Sequence, residues 1–163
     1  MKFSDFVAPR AIIADLQATN KEGVIREIVS RLHRAGCLAE ADPEAVTRVI
    51  MGREELGSTG FGGGLALPEG CTERVAGIIG TVAISRHEID FDALDEEPVD
   101  LVFLLLFPPR DIGQVREARR TIDSHLKDER FVNDLRQART PEQVLEVLWR
   151  ADRQAPDGPS GGC

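Results

Sequence analysis

The chain has 163 residues, 42% hydrophobic and 29% charged, a composition suited to one globular domain whose core needs no disulfide or metal staple. Its net charge of −8 repels a phosphate backbone, and no Lys/Arg block interleaved with aromatics offsets it, so nucleic-acid binding is excluded as a main role. The opening MKFSDFVAPR lacks the apolar centre of a signal peptide, and the longest apolar run, VDLVFLLLF, is too short to span a bilayer, so a cytoplasmic location without membrane insertion is expected.

In chain order, Thr19 and Glu22 read as a capping box before EGVIREIVSRLHRAG, where Val24, Ile25, Ile28, Val29 and Leu32 form one apolar stripe and Gly36 supplies the stop. A second helix starts with Asp42 as N-cap and Pro43 in the first turn, buries Val46, Val49 and Ile50, and ends near Glu55. The glycine-rich stretch GSTGFGGGLALPEG follows, from Gly57 to Gly70. The runs 75–84 and 99–107, the latter with Asp100 inside it, are otherwise apolar or β-branched and bounded by turn residues, which predicts two buried strands of one sheet. A third helix is predicted over 113–127, and a fourth with Thr140 as N-cap, Pro141 in the first turn and Gln143 completing the box. Helices alternating with buried strands imply an α/β fold of three layers around a mixed sheet. The domain is expected over 3–150, with 151–163 as a disordered tail of low apolar content. Cys37, Cys71 and Cys163 are odd in number and widely spaced, which fits reduced thiols and no zinc motif.

The glycine stretch admits two readings. Its glycines could let backbone amides converge on an anion together with Ser58, Thr59 and Arg53, or they could only make a tight helix-to-strand connection. It lacks the Gly-Lys-Ser/Thr of a phosphate-binding loop, and it follows a helix where a dinucleotide fingerprint would follow a strand. Glu69, after Pro68 at the expected end of the short strand LALP, is either a presented functional carboxylate or a solvated loop side chain. His33, His87 and His125 have no ligand or acid at short spacing, and REARR (116–120) reads first as a solvated helix face and second as an anion contact.

Three stretches then combine. REELGSTG (53–60), GFGGGLALPEG and IDFDALDEEPVDLVFLLLFP (89–108), in this order and at these separations, resemble the enzyme IIA domain of the bacterial phosphoenolpyruvate-dependent phosphotransferase system, mannitol/fructose and nitrogen-regulatory type. The resemblance covers residues 3–150 and implies that family's three-layer fold, with a mixed sheet between helices. It also implies phosphoryl transfer from the phosphocarrier protein to a histidine in a Pro-His-Gly motif. That place is held by Glu69 in Pro68-Glu69-Gly70, and the family's second histidine, at the start of the helix after the long buried strand, falls on Val115. Arg53, Ser58, Thr59 and Gly60 match the family's anion pocket.

A carboxylate is a poorer nucleophile than imidazole toward an anionic donor, and like charges a few ångströms apart repel. The expectation is therefore an enzyme-IIA-like protein that is incompetent in phosphotransfer and acts as a regulatory or interaction module. An active phosphotransferase component and a small-anion sensor are the two alternatives, so whether the chain is an enzyme stays open. No cofactor or metal is expected. Partners are expected to be proteins, either the phosphocarrier protein or a regulated target.

Overall fold

The computed structural model describes residues 1–154. An amino-terminal segment that buries Phe3, Phe6 and Val7 leads into β1 (Ile13–Leu16), α1 (Lys21–Arg34) and α2 (Pro43–Glu55). Three short strands follow, β2 (Gly60–Gly62), β3 (Leu65–Ala66) and β4 (Glu69–Cys71). The long strands β5 (Ile79–Ile89) and β6 (Val99–Phe107) precede α3 (Ile112–Leu126), α4 (Glu129–Gln137) and α5 (Pro141–Gln154).

The six strands form one mixed sheet in the order β1-β5-β6-β3-β2, with β4 also paired to β6. β5 and β6 run antiparallel as adjacent central strands, from Ile79 opposite Leu106 to Ile89 opposite Val99. β3 and β4 both lie parallel to β6 along its other edge, β3 against Leu101 and Val102 and β4 against Leu105, Leu106 and Phe107.

Burial on both sides explains why β6 is apolar from Leu101 to Phe107. Leu101, Phe103 and Leu105 join one core cluster with Ala118, Ile122, Phe131, Leu135, Val144 and Leu148 from α3, α4 and α5. Val102, Leu104 and Leu106 join the other, with Val24, Ile25, Ile28, Val46 and Ile50 from α1 and α2. The alternation follows from the two-residue period of a strand, and each fully buried Leu or Ile contributes about 1.5–3 kcal/mol of transfer free energy.

Several boundaries differ from the sequence expectation. The N-cap of α1 is Asn20, whose side chain accepts from the Gly23 amide at 2.8 Å, and not Thr19. Asp42 caps α2 as expected. At α5, Thr140 Oγ1 accepts from Gln143 N at 3.2 Å, while Gln143 Oε1 reaches back to Arg139 N at 2.6 Å, one residue before the expected partner. Residues 75–78 lie outside β5, which instead extends through Arg86, His87 and Glu88 to Ile89. Residues 151–154, assigned to the tail from composition, continue α5: Ala151 and Asp152 are buried, and the Asp152 carboxylate accepts from the amides of Phe3 (2.7 Å) and Ser4 (2.9 Å). The remaining tail, 155–163, lies outside the described residues, as does Cys163. Cys37 is half-buried, and desolvation pushes its thiol up; Cys71 is exposed, and neither is in a disulfide. Among the described residues no helix is long and apolar enough to cross a membrane.

Candidate functional site: a carboxylate between two guanidiniums

Glu69 opens β4, where it pairs in register with Leu105. The next residue decides what can approach. A Cβ at Gly70 would come within 2.9 Å of Leu106 Cδ2 and 3.0 Å of Ile50 Cγ1, so the missing side chain lets α2 pack directly on β4. That contact carries the last turn of α2, and Arg53 with it, to the carboxylate. Arg53 Nε lies 3.5 Å from Glu69 Oε1, and its Nη1 donates to the carbonyl of Gly57 at 2.9 Å, so the start of the glycine loop fixes the guanidinium.

α3 closes the other side. Arg119 Nη2 donates to Glu69 Oε2. The Glu69 side chain is 15% exposed, against 41% for Arg53 and 36% for Arg119, so a nearly covered carboxylate sits behind two half-exposed cations. Burial lowers the basicity of Arg119 most; the neighbouring Arg53 charge lowers it further, and Asp123 acts in the opposite direction. Two guanidiniums this close repel each other, and the carboxylate between them offsets that repulsion.

Val115 is fully buried. It precedes Arg119 by four residues on α3, so the two occupy one helix face. The sequence reading put the second histidine's place at Val115, whereas the side chain that reaches Glu69 from α3 is Arg119, from the run read first as a solvated face.

Ser58, Thr59 and Gly60 are engaged elsewhere. Ser58 Oγ donates to the carbonyl of Phe91 at 2.6 Å and accepts from Gly60 N at 3.0 Å. Thr59 donates through its hydroxyl and, at 3.2 Å, its amide to the carboxylate of Glu54. Glu54 is 5% exposed and is also ion-paired to Lys21 Nζ at 2.9 Å, whose ammonium lies 4.8 Å from the centre of the Phe91 ring. The glycine stretch thus forms a hairpin of β2 and β3 whose hydroxyls tie it to α2 and to the segment after β5. Neighbours in sequence, Arg53 and Glu54 point to different tasks.

Among the described residues none of the histidines is hydrogen-bonded to Glu69. His33 and His87 are exposed on α1 and β5, and His125 packs against Phe3 and Phe131 at ring separations of 5.0 and 5.3 Å with Nδ1 2.8 Å from the Thr121 carbonyl. Nor do three or more His, Cys, Asp or Glu side chains converge with metal-binding geometry among those residues.

Comparison with known proteins defines the class. A family model described as "Phosphoenolpyruvate-dependent sugar phosphotransferase system, EIIA 2" matches residues 5–150. A nitrogen regulatory protein of Bradyrhizobium diazoefficiens is 34% identical over 148 residues, covering 91% of this chain and 95% of that one. Among solved structures, the nitrogen regulatory protein IIA-Ntr of Neisseria meningitidis superposes with a TM-score of 0.81 at 27% identity, over 90% of this chain and 98% of its own. The fold is also shared, at 23% identity and a TM-score of 0.68, with the mannitol enzyme IIA of Escherichia coli solved in complex with phosphorylated enzyme IIB, over 88% of this chain and 96% of that one. The chain belongs to the EIIA 2 family of the phosphoenolpyruvate-dependent sugar phosphotransferase system, and it is similar to that family's nitrogen regulatory proteins.

Proposed function

We propose that this enzyme-IIA-like protein does not carry a phosphoryl group at residue 69 and works as a regulatory or interaction module with a permanently anionic site. The observation that carries this reading is the Glu69 carboxylate held between Arg53 and Arg119. The family's acceptor place, as the resemblance assigns it, holds a group already negative and already hydrogen-bonded. Donation from a guanidinium draws on the oxygen lone pairs a nucleophile would use, and an incoming phosphoryl donor meets a like charge. With Val115 at the second histidine's place, no imidazole is provided from α3 either.

A carboxylate carries one charge where a phosphoryl group carries nearly two, but it is fixed in place. The module would therefore meet its partner in one electrostatic state, without a phosphate switch. The partner class is a cytoplasmic protein: the phosphocarrier protein, a protein related to the enzyme IIB seen with the mannitol relative, or a regulated target. Incubation of the full chain with phosphoenolpyruvate, enzyme I and the phosphocarrier protein, read by intact mass, tests the reading. No phosphoryl adduct is expected, and a stable adduct at Glu69 or at any histidine would overturn it in favour of an active transfer component.

A further inference from the structure

We infer, resting on the reading of Glu69 as a fixed anion, that Arg53 and Arg119 form a two-guanidinium cradle for a small oxyanion, and that Glu69 is its tethered occupant. Three observations carry this. The donors come from opposite sides, Arg53 from the end of α2 and Arg119 from α3, and each meets a different oxygen of one carboxylate. Arg53 is held before any ligand arrives, by the Gly57 carbonyl at 2.9 Å, and Arg119 stands on α3 one turn from buried Val115. Finally, the two cations crowd each other: Arg119 loses basicity chiefly through burial and further through the Arg53 charge, with Asp123 acting against both.

A guanidinium presents several coplanar N–H donors suited to carboxylate or phosphate oxygens, and a pair of them surrounds an oxyanion from two directions. The resemblance assigned no role to Arg119. Its position makes it the donor from α3 in a place where Val115 has none to give. Ligand selection follows from occupancy. With Glu69 present, a dianion would add its charge to a place that already holds a carboxylate and would compete with a group tethered at high effective concentration. With the side chain removed, the same donors are free for a carboxylate or a phosphate.

The test uses the full chain and Glu69→Ala, titrated at low ionic strength with inorganic phosphate and, separately, with sodium acetate, followed by amide NMR shifts and thermal melting. Phosphate should bind Glu69→Ala about tenfold or more tightly than it binds the unaltered chain, and Arg119→Ala added to Glu69→Ala should abolish that gain. Acetate should raise the melting temperature of Glu69→Ala and leave the unaltered chain unmoved if the cradle favours a carboxylate; a response to phosphate alone identifies a tetrahedral anion site. Equal binding by the unaltered chain, no binding of either anion by Glu69→Ala, or binding that survives loss of Arg119 would each sink the inference. Glu69→Ser supplies a second background, and failure of both variants to fold in either anion would count against it as well. The two outcomes separate cleanly: an adduct on the unaltered chain defeats the proposed function and leaves this titration standing, whereas a flat titration defeats the cradle and leaves the mass measurement standing.

Discussion

Two glutamates lie at opposite ends of the glycine stretch, and their surroundings differ in kind. Glu54 is buried, and its oxygens are taken by the Thr59 hydroxyl and amide and by Lys21. Every partner is internal, and the cluster joins α1, α2 and the loop. Glu69 is met by two arginines that are each more than one-third exposed. A closed ion pair in the interior holds the frame, because breaking it strands a charge away from water. An ion pair at the rim is screened and replaceable, which is what a site requires.

The sharpest way to break this contrast is Glu54→Ala. It leaves Lys21, whose side chain is only 14% exposed, without its nearer carboxylate and Thr59 without its acceptor, and should cost about 3 kcal/mol in denaturant unfolding with little salt dependence. Next comes Gly70→Ala, which sets a methyl against Leu106 and Ile50 and should cost about 1–3 kcal/mol by overpacking. Because it pushes α2 away from β4, it should also move the Arg53 side-chain resonances, a readout that simple loss of stability would not give. The smallest effect belongs to Glu69→Ala, which should change stability by less than about 1 kcal/mol, and that difference should shrink as salt is raised. A large, salt-independent loss at Glu69 would erase the distinction between frame and site.

How much of this was legible beforehand depends on how local the cause is. α1, α2 and α5 were readable because each repeats apolar residues at helical spacing behind a capping residue, α3 because of its spacing alone, and β5 and β6 because they are long and largely apolar. β1 spans four residues and α4 nine, too short for a period to stand out, although Asp128 before Phe131, Val132 and Leu135 was a usable cap-and-stripe signal for α4. Buried Glu54 continues the spacing of Val46 and Ile50, so its inward position could have been found within the charged run REE. Arg119 lies beside the stripe of Val115, Ala118 and Ile122, which hints at partial burial. That it reaches Glu69 depends on how α3 lies over the sheet, and nothing local encodes that. The hydroxyls of Ser58 and Thr59 were legible as donors, but their acceptors, the Phe91 carbonyl and Glu54, were not.

The edge of β6 that faces β3 and β4 is served by one path of chain in two pieces, with Leu67 and Pro68 between them and the Pro68 carbonyl still accepting from Leu105 N at 3.1 Å. Residue 69 is therefore seated by main-chain bonds to β6 and by the absent side chain of Gly70. Its own side chain projects from a mounting that never consults it. Such a mounting works like a socket: the fixture persists while the inserted part is exchanged, and a lineage can alter the chemistry at that point in one substitution without renegotiating its architecture.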